Sequence, residues 1–353
     1  MSEHSPLNIV FYRYSLRNRG GDRMIVNYAN YLAQQGHNVA IYLSFWESVF
    51  TLHDDIEIVK VLPSTKGAFL AFGAMHRFEA DMVIVDIIHL PLLVGLCNRV
   101  VYFAQADDIE YYDNNIARHL MDFLYRIYLR KGAVVITVDN RLTETFKERY
   151  GYSACHTVTN GIELDKFYPE PDRELLNKKA GRKALFFMAR GDHFRKGFDL
   201  AVEVFKRIDA GTAAQMELWV CGEQMDDTRF PFMVRNFGIV SDDRLRQLLS
   251  SADIFFYPSR HEGFGLFPLE AMACGCVVLT TEAVPYANKY ECIVTTDIGN
   301  IDAMVNQIKG LLLSPVILER MQQDAVLVAR LYDIRKSCEQ FVASLYEIRS
   351  EVS

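Results

Sequence analysis

The chain has 353 residues, half of them hydrophobic and 24% charged; at about 150 residues per domain this predicts two folded domains and excludes a disordered or fibrous chain. The formal net charge of −7 argues against a broad nucleic-acid surface, which needs concentrated basic residues. Seven cysteines (Cys97, Cys155, Cys221, Cys274, Cys276, Cys292 and Cys338) are scattered without a CxxC pair, the pattern of reduced thiols in a cytosolic protein and not of a disulfide frame or zinc site.

The first six residues lack the basic-then-apolar plan of a signal peptide. Strand-like runs follow at 7–14, 38–43, 56–62, 82–88, 99–103 and 133–138. The most apolar stretch, 82–96, is broken by Asp86, His89 and Pro91, so nothing is expected to cross a bilayer. Between the runs lie amphipathic helices, the first at 23–35 with Met24, Tyr28, Tyr31 and Leu32 on one face. Residues 118–131 alternate Arg118, Arg126, Arg130 and Lys131 with aromatics. That pattern reads first as a core-facing helix with snorkelling cations, and second as a peripheral contact with an anionic membrane.

The pattern restarts at 184–189 and continues through runs at 216–221, 254–257, 276–280 and 292–295, with a helix at 198–208. Several runs are apolar on both faces, which fits parallel sheets covered by helices. Residues 163–182, with Pro169, Pro171 and a lysine-rich stretch, read as a linker. The expected organisation is an α/β protein of two Rossmann-like domains, 1–162 and 183–335, with parallel sheets facing a central cleft, and a last helix within 336–353.

The densest chemistry lies in 259–275, which reads Ser-Arg-His-Glu-Gly-Phe-Gly-Leu-Phe-Pro-Leu-Glu-Ala-Met-Ala-Cys-Gly. It follows a strand and should open a helix near Phe267, with Pro268 in the first turn. Gly263 and Gly265 allow close backbone approach, and the N–H groups of Phe264, Gly265, Leu266 and Phe267 aim donors at an anion. Glu262 and Glu270 bracket that site and would accept hydrogen bonds from hydroxyls on either side of a diphosphate. Arg190 and Lys196, on the loop after the restart strand, could neutralise charge on a departing group. Gly20 and Gly21, between the first strand and helix, form a close-approach turn but no GxGxxG fingerprint, which weighs against a nicotinamide enzyme. No Asp-x-Asp triplet or histidine cluster occurs, so neither metal nor other cofactor is expected.

The spacing Glu262…Glu270 within EGFGLFPLEAMACG resembles the E-x7-E signature of retaining glycosyltransferases of the GT-B fold, the glycogen-synthase-like family 4 group. Arg19-Gly20-Gly21, Thr159-Asn160-Gly161-Ile162, and Arg190 with Lys196-Gly197 extend the resemblance over essentially the whole chain. It implies a nucleotide-diphosphate-sugar donor held by the second domain and a saccharide or lipid-linked acceptor held by the first. It also implies that Gly222 and Val240 face the nucleobase, that Glu270 meets the ribose, and that the last helix crosses back to the first domain. Many relatives carry a histidine after the fifth strand of the first domain; here Gln105 stands in that region, with Asp107 the other polar candidate for sugar or acceptor recognition. Weaker likeness to rhamnosyltransferase-like members suggests a deoxyhexose donor. The rivals are a sugar-nucleotide epimerase and a catalytically silent homologue. The location implied is cytoplasmic, peripheral at the membrane's inner face if the helix at 118–131 rests there.

Overall fold

The computed structural model describes residues 5–47, 50–96, 98–112, 114–130, 134–152, 155–189 and 193–351. The chain divides into two compact units. One comprises Met1–Asn160 with Ile334–Ser353, the other Gly161–Asp333.

In the first unit the spatial strand order is Ile56–Lys60, Asn38–Leu43, Asn8–Tyr12, Met82–Val85, Val100–Ala104, Val134–Thr137 and Cys155–Thr157, all parallel. The central strands are buried throughout, as sheets covered on both faces require. The C-terminal helix Ile334–Ser350 belongs to this unit. Its Phe341, Leu345 and Ile348 are buried at helical spacing. Phe341 stacks on Tyr28 with ring centroids 4.2 Å apart, and the Ser337 hydroxyl donates to the Thr159 carbonyl at 2.6 Å.

The second unit orders its parallel strands as Met233–Gly238, Met216–Gly222, Lys183–Ala189, Ile254–Tyr257, Val277–Thr281 and Ile293–Thr296. Its first strand is central and the chain then builds outward on both sides, which is the nucleotide-binding Rossmann arrangement. Such a sheet offers its ligand site at the carboxyl ends of the strands.

Residues 163–182 are not a free linker. Glu170 and Asp172 donate backbone N–H groups to the hydroxyls of Ser250 and Ser251, and Asp172 caps helix Arg173–Lys179. Lys179 is buried against Asp253 at 2.8 Å. Side chains of the second unit clamp this segment. Four strands escaped the sequence reading: the short parallel pair Ser15–Leu16 and Phe45–Trp46, and one edge strand in each large sheet. Cys155–Thr157 is too short to show a period, and Met233–Gly238 is an edge strand whose Arg235 and Asn236 hide its alternation. Among the described residues the six cysteines are free thiols; Cys97 lies outside them.

Candidate functional site

In the second unit, strand Ile254–Tyr257 runs into the loop 258–265, and helix Leu266–Ala273 starts on Gly265. Gly265 has φ 90°, a conformation that side chains disfavour, and has no side chain to cap the helix. Its carbonyl accepts from the hydroxyl of buried Tyr286, which holds the turn in place. The turn is therefore fixed from below and opens the helix N-terminus without a capping side chain, the arrangement that suits an anion.

Glu262 is buried, and its Oε1 accepts from three donors. These are the hydroxyls of Tyr257 at 2.6 Å and Ser259 at 2.7 Å, and Nζ of Lys196 at 2.7 Å. Lys196, on the loop after strand Lys183–Ala189, also donates to the Tyr257 hydroxyl at 3.3 Å and remains about one-third exposed. The neighbouring Gly197 explains how two separate loops meet here. At φ 69° it passes so close to the Pro258 carbonyl that an added Cβ would lie 1.9 Å from the oxygen. Arg260 pins the same two loops, pairing with both oxygens of Asp199 at 2.6 Å and stacking on Phe194.

Glu270 is buried in the second turn of the helix. Burial drives the Tyr286 phenol far above its ordinary range, and the charges of Glu262, Tyr332 and Glu270 push it further. Lys196, Glu262, Gly265, Leu266, Phe264 and Glu270 thus come together at one sheet edge. Arg190 lies outside the described residues. Gly222 ends the neighbouring strand in register with Ala189, and Val240 is half-buried just before helix Asp242–Ser251. Both lie toward the carboxyl edge of the same sheet. Tyr286 was not singled out from the sequence, where it is one aromatic in an unremarkable loop.

In the first unit, Gly20 and Gly21 are not a turn before the helix. They are its first residues, in helix Gly20–Gln34, with Arg19 at the N-cap. A Cβ on Gly21 would lie 2.7 Å from Oε1 of Gln105, so two positions chosen on separate grounds are in contact. Gln105 donates from Nε2 to Asp86 at 3.2 Å, Asp86 pairs with Arg13 at 2.9 Å, and Arg13 also pairs with Asp22. Arg13, Asp86 and Gln105 are each the first residue beyond a parallel strand. Burial raises the Asp22 carboxyl, and Arg13 draws it back down.

Asp107 does not join this cluster. It is buried, accepts from the Ile109 N–H at 3.1 Å and the Tyr150 hydroxyl at 3.3 Å, and pairs with Arg149 at 3.2 Å. In this structure its acceptors serve groups of the fold itself. Asp108, the next residue, is also tied into the fold. It accepts from the Ile88 N–H and the Tyr102 hydroxyl, and burial pushes its carboxyl up to about 7. A carboxyl raised in the folded state favours folding at low pH, and that benefit is lost as pH rises from about 4 through 7. Asp108→Asn is therefore expected to flatten the fall in Tm between those values. An unchanged slope would show that another group controls it.

Residues 18–166 match the Glycosyltransferase Family 4 model, and residues 170–326 match the Glycosyl transferases group 1 model. The chain is 26% identical over 234 residues to the mannosylfructose-phosphate synthase of Agrobacterium fabrum, which covers 59% of this chain and 51% of that protein; it thus spans about half that relative's length. It is also 26% identical over 305 residues to the lipopolysaccharide glucosyltransferase WaaG of Escherichia coli, covering 76% of this chain and 78% of that one. Its fold is similar to that of Anabaena HepE in complex with UDP-glucose, with a TM-score of 0.74 at 15% identity, over 97% of this chain and all of that one. Two parallel α/β units, matched in turn by these two family models, make this chain a member of the family 4 glycosyltransferases of the GT-B type.

Proposed function

We propose that the chain is a retaining, metal-independent hexosyltransferase that moves a hexose or deoxyhexose from a nucleoside-diphosphate sugar to a saccharide, free or carried on lipid. The setting we infer is the cytoplasm, in surface polysaccharide or glycan synthesis. One observation carries the reading: Lys196 is held by Glu262 beside a glycine-started helix N-terminus that has a second buried glutamate, Glu270, in its next turn.

The donor diphosphate would sit at the start of helix Leu266–Ala273. There the helix dipole, Lys196 and Arg190 would balance the charge that grows as the bond from the anomeric carbon to the phosphate oxygen breaks. Glu262 and Glu270 would accept from hydroxyls of the transferred sugar and the ribose. Gly222 and Val240 would border the base. The acceptor oxygen forms the new bond to the anomeric carbon, and its proton passes to the departing phosphate oxygen, which needs no separate protein base. Gln105, braced by Asp86, would read hydroxyls in the first unit. Similarity to a glucosyltransferase and to a protein seen with UDP-glucose supports a nucleotide-sugar donor.

A thermal-shift screen of nucleoside diphosphates and their sugars, run in excess chelator, tests this. At 100 times its Kd a ligand stabilises by about 2.7 kcal/mol, so the cognate nucleotide should raise Tm by several degrees. No shift with any nucleotide would overturn the reading. Appearance of an altered nucleotide sugar without acceptor would replace it with epimerisation.

A further inference from the structure

Each unit has a topological switch point, and the two carry matching pairs of side chains. In the second unit the chain builds outward on one side of strand Lys183–Ala189, then returns to add Ile254–Tyr257 on the other. Lys196 and Glu262, from the loops after those two strands, pair at 2.7 Å. The first unit does the same around strand Asn8–Tyr12, with Met82–Val85 added on its second side. Arg13 and Asp86 directly follow these two strands and pair at 2.9 Å. In both large sheets the cation follows the first strand and the carboxylate the fourth. The crevice where such strands diverge is where an open α/β sheet takes its ligand.

The pairs differ in one respect. Glu262 receives three donors on one oxygen. Asp86 takes the Gln105 amide on Oδ2 at 3.2 Å, the oxygen that also faces Arg13, and its Oδ1 is buried with no hydrogen-bond partner. The side chain is 9% exposed, and a carboxylate oxygen left bare at that depth is costly until a donor completes it. Charge narrows what that donor can be. Arg13 is already divided between Asp22 and Asp86, so it has no full positive charge left for a phosphate. Burial and Lys66 drive His89 toward its neutral form, with Asp86 opposing them. Lys66 and Arg19, the other cations acting on this cluster, are exposed and screened. A hydroxyl supplies the missing donor without adding charge. The same edge also carries the strand pair Ser15–Leu16 and Phe45–Trp46, where Phe45 and Trp46 are 43% and 39% exposed. Planar apolar rings near a hydrogen-bonding carboxylate suit a pyranose, which has an apolar C–H face and a rim of hydroxyls.

We propose that Asp86, held by Arg13 and Gln105 at the switch point of the first unit, accepts a hydrogen bond on Oδ1 from a hydroxyl of the saccharide acceptor, and that this subsite takes an uncharged sugar in preference to a phosphorylated one. The proposal rests on the transfer reading above and adds to it a residue and a substrate class.

The test follows binding of methyl pyranosides (glucoside, galactoside, mannoside and rhamnoside) and of the matching hexose phosphates to the full chain by saturation-transfer NMR, with nucleoside diphosphate binding measured beside it. At least one methyl pyranoside should bind, about tenfold tighter than its phosphate. Asp86→Asn keeps the size of the side chain and an oxygen for Gln105, but exchanges a charge-assisted bond for a neutral one. It should weaken pyranoside binding about tenfold and leave Tm and nucleotide affinity near wild type. Equal pyranoside affinity in the variant, tighter binding of the phosphates by the wild type, or no pyranoside binding while nucleotides bind would overturn the subsite alone. Absence of binding to every nucleoside diphosphate would overturn the transfer reading, and the subsite with it.

Discussion

Lys196→Ala is expected to cost about 2–4 kcal/mol of transition-state stabilisation, a fall of about 30- to 900-fold in kcat/KM for the donor. The argument starts from position. Lys196 stands where the loops after two adjacent strands meet, brought there by the contact of Gly197 with Pro258. Its ammonium has three N–H donors; in this structure they serve Glu262 and the Tyr257 hydroxyl, and its partial exposure leaves it open to a ligand. In bulk water a lone cation beside a phosphate is screened, but a bound nucleotide excludes that water and strengthens the attraction. The variant should stay folded, because Glu262 keeps its bonds from Tyr257 and Ser259. Nucleoside diphosphate release, measured beside Tm, separates the two effects. A loss under about twofold would remove Lys196 from the reaction.

Glu262 should show a different signature, with activity and stability changing together in one variant and apart in another. Glu262→Ala leaves two hydroxyls and an ammonium facing an empty site. Each unsatisfied buried polar group costs about 1–3 kcal/mol, so this variant should lose both turnover and several degrees of Tm. Glu262→Gln keeps an acceptor for Tyr257 and Ser259 while removing the charge that positions Lys196. It should melt close to wild type and still lose about a hundredfold or more in rate. Undiminished turnover in the glutamine variant would show that Glu262 is a structural brace only.

What could be read from the sequence is what lies close together along the chain. The strand, the glycine-rich turn and the helix bearing Glu262 and Glu270 occupy one continuous segment, so their spacing alone implied an anion site between two carboxylates. The apolar strands likewise announced two parallel sheets. The first-unit cluster was harder. Arg13, Asp86 and Gln105 are far apart in sequence and meet because three strands end side by side; only Gln105 was noticed. Asp86 was seen merely as a break in an apolar run. The partners of Asp107 and Asp108 were not legible because burial is a tertiary property: the hydroxyls of Tyr102, Tyr125 and Tyr150 reach these residues from other elements. The proline-containing stretch 163–182 misled for the same reason, since its clamps, Ser250, Ser251 and Asp253, lie about seventy to eighty residues away.

The central claim is that a diphosphate is held by protein cations and a helix start, without a divalent ion. Calorimetric titration of the cognate nucleoside diphosphate into wild type and Lys196→Ala, both in excess chelator, addresses it directly. The account predicts full-strength binding by the wild type and at least about tenfold weaker binding by the variant. Binding that requires added magnesium or manganese, or equal affinity in the two proteins, would contradict it.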